Sequence, residues 1–274
     1  MNNSSHFTMN VQGINVYYER YYNPSKPPLV LVHGFLSSTF CYRKLIPLLK
    51  DEFEIIAIDL PPFGKSEKST SFVYSYRNMA NLVIKMVDRL HIKNAYLAGH
   101  SMGGQISLYA IKARPDLFKK VILLCSSGYM KRAHSSLVFS SYIPYFYLFI
   151  KHWLARQGGV LRNLSNVVHD RTLIDQEMMD GYVQPFYDDK IFLALTRMIR
   201  DREGDLSPED LNSIEVPSLI IWGEEDKVIP VHIGEKLHKD LRNSSFVSFK
   251  KTGHLIPEER PEYVSEKMFD FCHI

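Results

Sequence analysis

Apolar residues recur along this chain in two alternating rhythms. Runs of strand length fall at residues 28–32, 54–58, 94–99 and 120–124, and again at 218–222 and 245–249. Between them, residues 74–90 place Met79, Leu82, Val83, Met86, Val87 and Leu90 on one face at helical spacing. Residues 39–49, 101–113, 231–239 and 261–271 also read as helices, and 7–11 with 14–21 flank Gly13 as a hairpin would. Short apolar strands separated by helices imply a mostly parallel sheet covered by helices on both faces, an α/β fold.

The alternation stops after Cys125. From 126 to 206 the pattern is helical and aromatic, with Tyr142, Tyr145, Phe146, Tyr147, Phe149 and Trp153 close together. Strand runs resume only at 218. The expected organisation is a sheet domain built from 1–125 and 207–274, split by a helical cap over 126–206 that lies on the carboxyl edge of the sheet.

Composition adds mainly exclusions. With 274 residues, 45% hydrophobic and 23% charged, the chain is an ordinary globular one that buries about three-quarters of its unfolded surface. Net charge is +3 with scattered basic residues, too slight by itself to point to a membrane surface, and no nucleic-acid partner is expected. Cys41, Cys125 and Cys272 are an odd set without CxxC spacing, which argues against a disulfide framework and against a zinc site. The apolar stretch 137–150 is too short to span a bilayer and is interrupted by Pro144, and the N-terminus lacks a secretory layout. A cytoplasmic protein without stable membrane insertion is the resulting expectation.

Candidate chemistry centres on Gly99-His100-Ser101-Met102-Gly103, the Gly-x-Ser-x-Gly pattern of a sharp strand-to-helix turn. Such a turn projects the serine oxygen, and side chains at Gly99 and Gly103 would collide. The bland alternative is a tight turn with a spectator serine. A serine hydroxyl needs a base, and His254 follows the last strand run in Thr252-Gly253-His254. The base needs a carboxylate. Glu224, Glu225 and Asp226 all follow the run 218–222, and Asp226 is favoured because it ends that loop just before Pro230 sets the next helix. Glu224 and Glu225 read as solvated loop charges. The order Ser, Asp, His along the chain is the one this architecture uses. Oxyanion donors are expected at the backbone amides of Met102, at a helix N-terminus, and of Phe35, with His33 and Gly34 shaping the turn after strand 28–32.

Taken together, His33-Gly34, the 59–66 segment Asp-Leu-Pro-Pro-Phe-Gly-Lys-Ser, the 99–104 elbow, Gly223-x-x-Asp226 and Gly253-His254 resemble the α/β-hydrolase superfamily. Its capped carboxylesterases, monoacylglycerol lipases and carbon–carbon-bond hydrolases look most similar. The resemblance covers nearly the whole chain and is weakest in the cap. It implies an eight-stranded sheet, a Ser-His-Asp triad, no cofactor and a substrate tunnel under the cap; a small or medium apolar ester or related acyl substrate, no metal, and a monomer or homodimer are the accompanying expectations. Ser101 stands where dehalogenases and epoxide hydrolases of this fold carry aspartate. Phe35-Leu36-Ser37 and His100 differ from the usual meta-cleavage pattern, which makes carbon–carbon hydrolysis the second choice. Acyl transfer, perhydrolysis and a non-catalytic binding role are the remaining alternatives.

Overall fold

The computed structural model describes residues 4–156 and 159–274. Eight strands form one sheet: β1 (Ser4–Val11), β2 (Ile14–Tyr21), β3 (Pro28–Val32), β4 (Glu54–Ile58), β5 (Ala95–His100), β6 (Phe118–Leu124), β7 (Ser218–Gly223) and β8 (Ser244–Phe249). Their order is β1-β2-β4-β3-β5-β6-β7-β8. β1 and β2 pair antiparallel and β2 joins β4 antiparallel; from β4 onward every pairing is parallel. The fold is the mostly parallel eight-stranded one anticipated. β4, β5 and β7 are buried along their whole length, as strands covered on both faces must be.

Two departures from the apolar pattern have plain causes. β1 extends back to Ser4 although residues 5–8 are exposed, because pairing with β2, rather than an apolar face, holds this edge strand. The helix expected at 39–49 is broken into a turn of 3-10 helix, Thr39–Tyr42, and a short helix, Ile46–Leu49. Pro47 has no N–H to donate to the Arg43 carbonyl, so a continuous helix cannot pass through it.

Between β6 and β7 the described residues form helices Ser135–Ser140, Phe146–Arg156, Gly159–Val167, Gln176–Val183, Lys190–Asp201 and Pro208–Asn212, and no strand. An isolated antiparallel bridge, Lys131 to Gly204, draws the two ends of the 126–206 segment together. Asp205 reinforces the neck: its amide donates to Met130 O (2.8 Å) and its carboxylate accepts from the Met130 amide (3.0 Å). Among the described residues no helix is long and apolar enough to cross a membrane.

Candidate active site

The carboxyl ends of β3, β4, β5, β7 and β8 carry the candidate catalytic and oxyanion residues. At the end of β5 the chain turns into helix Met102–Ala113, and Ser101 sits in the turn with φ +53° and ψ −121°. A non-glycine residue holds such a backbone only when its surroundings impose it. Here they do. A Cβ on Gly99 would lie 2.4 Å from the Gly103 carbonyl oxygen, and one on Gly103 would lie 2.2 Å from Val32 O. The helix is therefore pressed against its own incoming strand and against β3. Ser101 is only 9% exposed, and its hydroxyl makes no hydrogen bond among the described residues.

The loop leaving β3 passes directly over this serine. A Cβ on Gly34 would come within 2.9 Å of Ser101 Cβ. His33 fixes that loop: its Nε2 accepts from the Leu60 amide (2.9 Å), so Nδ1 carries the proton and donates to Gly34 O (2.7 Å). Burial pushes the His33 imidazole down to about 4, partly offset by the bond to Gly34 O, so it is neutral at pH 7. Leu60 belongs to the 59–66 loop after β4. There the buried Asp59 carboxylate accepts from the amides of Thr39 (2.7 Å) and Lys65 (2.8 Å). Burial raises Asp59 to about 6, and the two amides resist that rise. Gly64, at φ +54°, packs on this carboxylate so closely that a Cβ would fall 2.0 Å from Asp59 Oδ2. Within the turn, the Phe35 amide makes no hydrogen bond among the described residues. The Met102 amide opens a helix and has no carbonyl of that helix to bond.

Asp226 and His254 meet directly. Asp226 follows β7, and its Oδ1 accepts from the amides of Val228 (2.8 Å) and Ile229 (2.9 Å), leaving Oδ2 to accept from His254 Nδ1 at 2.7 Å. Both side chains are buried. The carboxylate thus fixes the imidazole with its proton on Nδ1 and a lone pair on Nε2, the form a general base needs.

The His254 loop is braced by groups that single-sequence reasoning passed over. Glu225 Oε2 accepts from the Thr252 amide (2.8 Å), so this partly exposed loop charge also brackets the His254 loop. Glu259 accepts from Gly253 N and His169 N, both at 2.9 Å. The His254 amide donates to Val167 O (2.7 Å), at the end of helix Gly159–Val167 of the 126–206 segment. His100 contributes most. Its Nε2 donates to the His254 carbonyl at 2.8 Å, with the two rings 4.9 Å apart. This links the residue before the serine to the backbone of the base. The sequence signal was the histidine inside the elbow, but its partner lies on the far side of the chain.

His100 is driven down to about 3, chiefly by burial and then by His254. A histidine lowered in the folded state is neutral there while the unfolded chain takes up a proton below about 6.5, so its contribution to stability is intact above that pH and is lost as pH falls toward 3. The buried acids Asp59, Asp205 and Glu258 are raised to about 6, 6 and 7 and act oppositely over the same range. A difference measurement separates them. The stability cost of His100→Gln should shrink by about 2–3 kcal/mol between pH 7 and pH 4.5. A cost independent of pH in denaturant titrations would show that His100 is not buried as a neutral ring.

Cys125, Asp226 and His254 offer ligand atoms within 4.8 Å of one another. They do not suit a metal. Burial raises the Cys125 thiol well above its ordinary value, so without a metal it stays protonated. The Asp226 carboxylate is already engaged by two amides and the imidazole.

A family model described as alpha/beta hydrolase fold matches residues 27–261. The uncharacterized hydrolase YugF of Bacillus subtilis (strain 168) is 59% identical over 261 residues, covering 95% of each chain. Monoacylglycerol lipase abhd6-B of Xenopus laevis is 25% identical, covering 90% of this chain and 75% of that one. Among solved structures, the 2-hydroxy-6-oxo-6-phenylhexa-2,4-dienoate hydrolase BphD of Rhodococcus sp. strain RHA1 superposes with a TM-score of 0.82 at 19% identity, over 99% of both chains.

Proposed function

This chain belongs to the α/β-hydrolase fold family, and within it we propose a serine hydrolase that cleaves an ester-like bond of a small or medium apolar acyl substrate. His254 Nε2 takes the proton of Ser101 as its oxygen attacks the carbonyl carbon. The amides of Met102 and Phe35 hold the resulting oxyanion. His254 then protonates the departing alcohol; a water molecule, deprotonated by the same imidazole, attacks the acyl carbon, and the imidazolium returns its proton to Ser101 as the acid leaves. Asp226 orients the ring and stabilises its charged form. The 126–206 segment acts as the cap, and its contact with the His254 loop through Val167 supports a place beside the site.

The observation that carries this reading is the 2.7 Å bond between His254 and an Asp226 carboxylate pinned by two amides. It stands at the same sheet edge as a serine in a forced backbone. The lipase named among the relatives favours an ester as the bond cut.

A fluorophosphonate should label the purified protein once, with mass spectrometry placing the adduct on Ser101, and chromogenic esters of graded acyl length should be hydrolysed. A label elsewhere would refute the nucleophile. Turnover of a vinylogous diketone with every ester left intact would move the chain to the carbon–carbon hydrolases.

A further inference from the structure

The segment 135–156 leaves a broad apolar surface uncovered. Phe139, Tyr142, Ile143, Tyr145, Phe149 and Trp153 are each half-exposed or more. On helix Phe146–Arg156 the inward stripe is already satisfied, since Tyr147, Ile150 and Leu154 pack on the core. Phe149 and Trp153 lie four residues apart on the other side, and the exposed Tyr145 immediately precedes the helix. A surface helix of a globular protein ordinarily turns polar residues outward. This one is apolar on both sides, and exposed patches of this kind mark interaction sites.

Charge narrows the occupant. From Leu117 to His169 the chain contains no Asp or Glu, while Lys131, Arg132, Arg156 and Arg162 are exposed. Arg132 lines a surface hollow of about 310 Å³ together with Val138, Phe139 and Tyr142. The Arg200 guanidinium stacks over Tyr142 at 4.2 Å, adding a further cation at the edge of the aromatic rings. Asp189, an acid from outside this segment, is paired with Lys151. Amphipathic aromatics settle at the headgroup level of a bilayer, and basic residues beside them attract anionic lipid. A second copy of the chain would bring like charges together across a symmetric contact.

We propose that the 135–156 face docks the protein, without spanning, on an anionic phospholipid surface. The proposal is independent of the esterase reading, because its test measures binding alone.

Flotation of the full-length protein with phosphatidylcholine vesicles containing about 30% phosphatidylglycerol is the test. The protein should float with these vesicles, and far less with phosphatidylcholine alone or in about 0.5 M salt. Phe139→Ser/Phe149→Ser/Trp153→Ser should lower the bound-to-free ratio at least about tenfold, and Lys131→Glu/Arg132→Glu similarly, with far-UV spectra and melting temperatures unchanged. Failure of the parent protein to float, equal binding to neutral vesicles, or normal binding by the folded variants would each overturn the proposal. So would a dimer in light scattering that the triple variant splits, in the absence of flotation, which would assign the face to self-association.

Discussion

Ser101→Ala is expected to lower kcat by roughly 10⁵- to 10⁶-fold on any ester the parent protein hydrolyses, the scale seen when a nucleophile is removed from a serine-based site. Its fold should persist. The Ser101 hydroxyl makes no hydrogen bond among the described residues, so its removal leaves no buried partner unsatisfied. The backbone at φ +53° is imposed by the packing of Gly99 and Gly103, which alanine does not touch, and alanine meets the same steric cost there as serine. Binding should also survive, because the amides of Phe35 and Met102 belong to the backbone. A small residual rate over water is therefore expected from those donors. A variant retaining more than about 1% of the parent kcat, with its fold intact by circular dichroism, would remove Ser101 from the reaction.

How much of this was legible from the residues depends on the range of the interaction involved. β3 and β4 lie at the expected 28–32 and 54–58, because a strand buried on both faces must be an apolar run and little else along the chain resembles one. The elbow was partly local: Gly99 is demanded by contacts within the turn, which the spacing of the two glycines encodes, whereas Gly103 is demanded by β3. His100 was not legible in the same way. Its partner is the carbonyl of His254, a backbone atom brought near only by the finished sheet. Glu225 and Glu259 were hidden for the same reason, since a carboxylate that accepts backbone N–H groups looks in sequence like any loop charge. In the aromatic run after Ser135, apolar residues occupy both sides of a helix, so periodicity could not say which ring faces inward. The interior stripe Tyr147, Ile150 and Leu154 is chosen by what lies beneath it.

The second large effect is expected from Asp226→Asn, and the hydrogen bonds dictate how it should arise. Oδ1 of Asp226 accepts from the Val228 and Ile229 amides at 2.8 and 2.9 Å. An asparagine must keep its carbonyl oxygen there, because the reverse orientation would set its NH₂ against two N–H donors, the Ile229 one buried, and leave both without this partner. Its NH₂ then occupies the position of Oδ2, 2.7 Å from His254 Nδ1. Two donors cannot face each other at that distance, so the imidazole proton moves to Nε2. An Nε2–H cannot accept the Ser101 proton, and kcat should fall by about 10⁴-fold with the melting temperature little changed. Ring ¹⁵N spectra should show the exchange of tautomer directly. Glu225→Gln is the control, since Glu225 Oε2 accepts from the Thr252 amide; its kcat should stay within about tenfold of the parent. If Asp226→Asn stays active while Glu225→Gln does not, the carboxylate that serves the base has been misassigned.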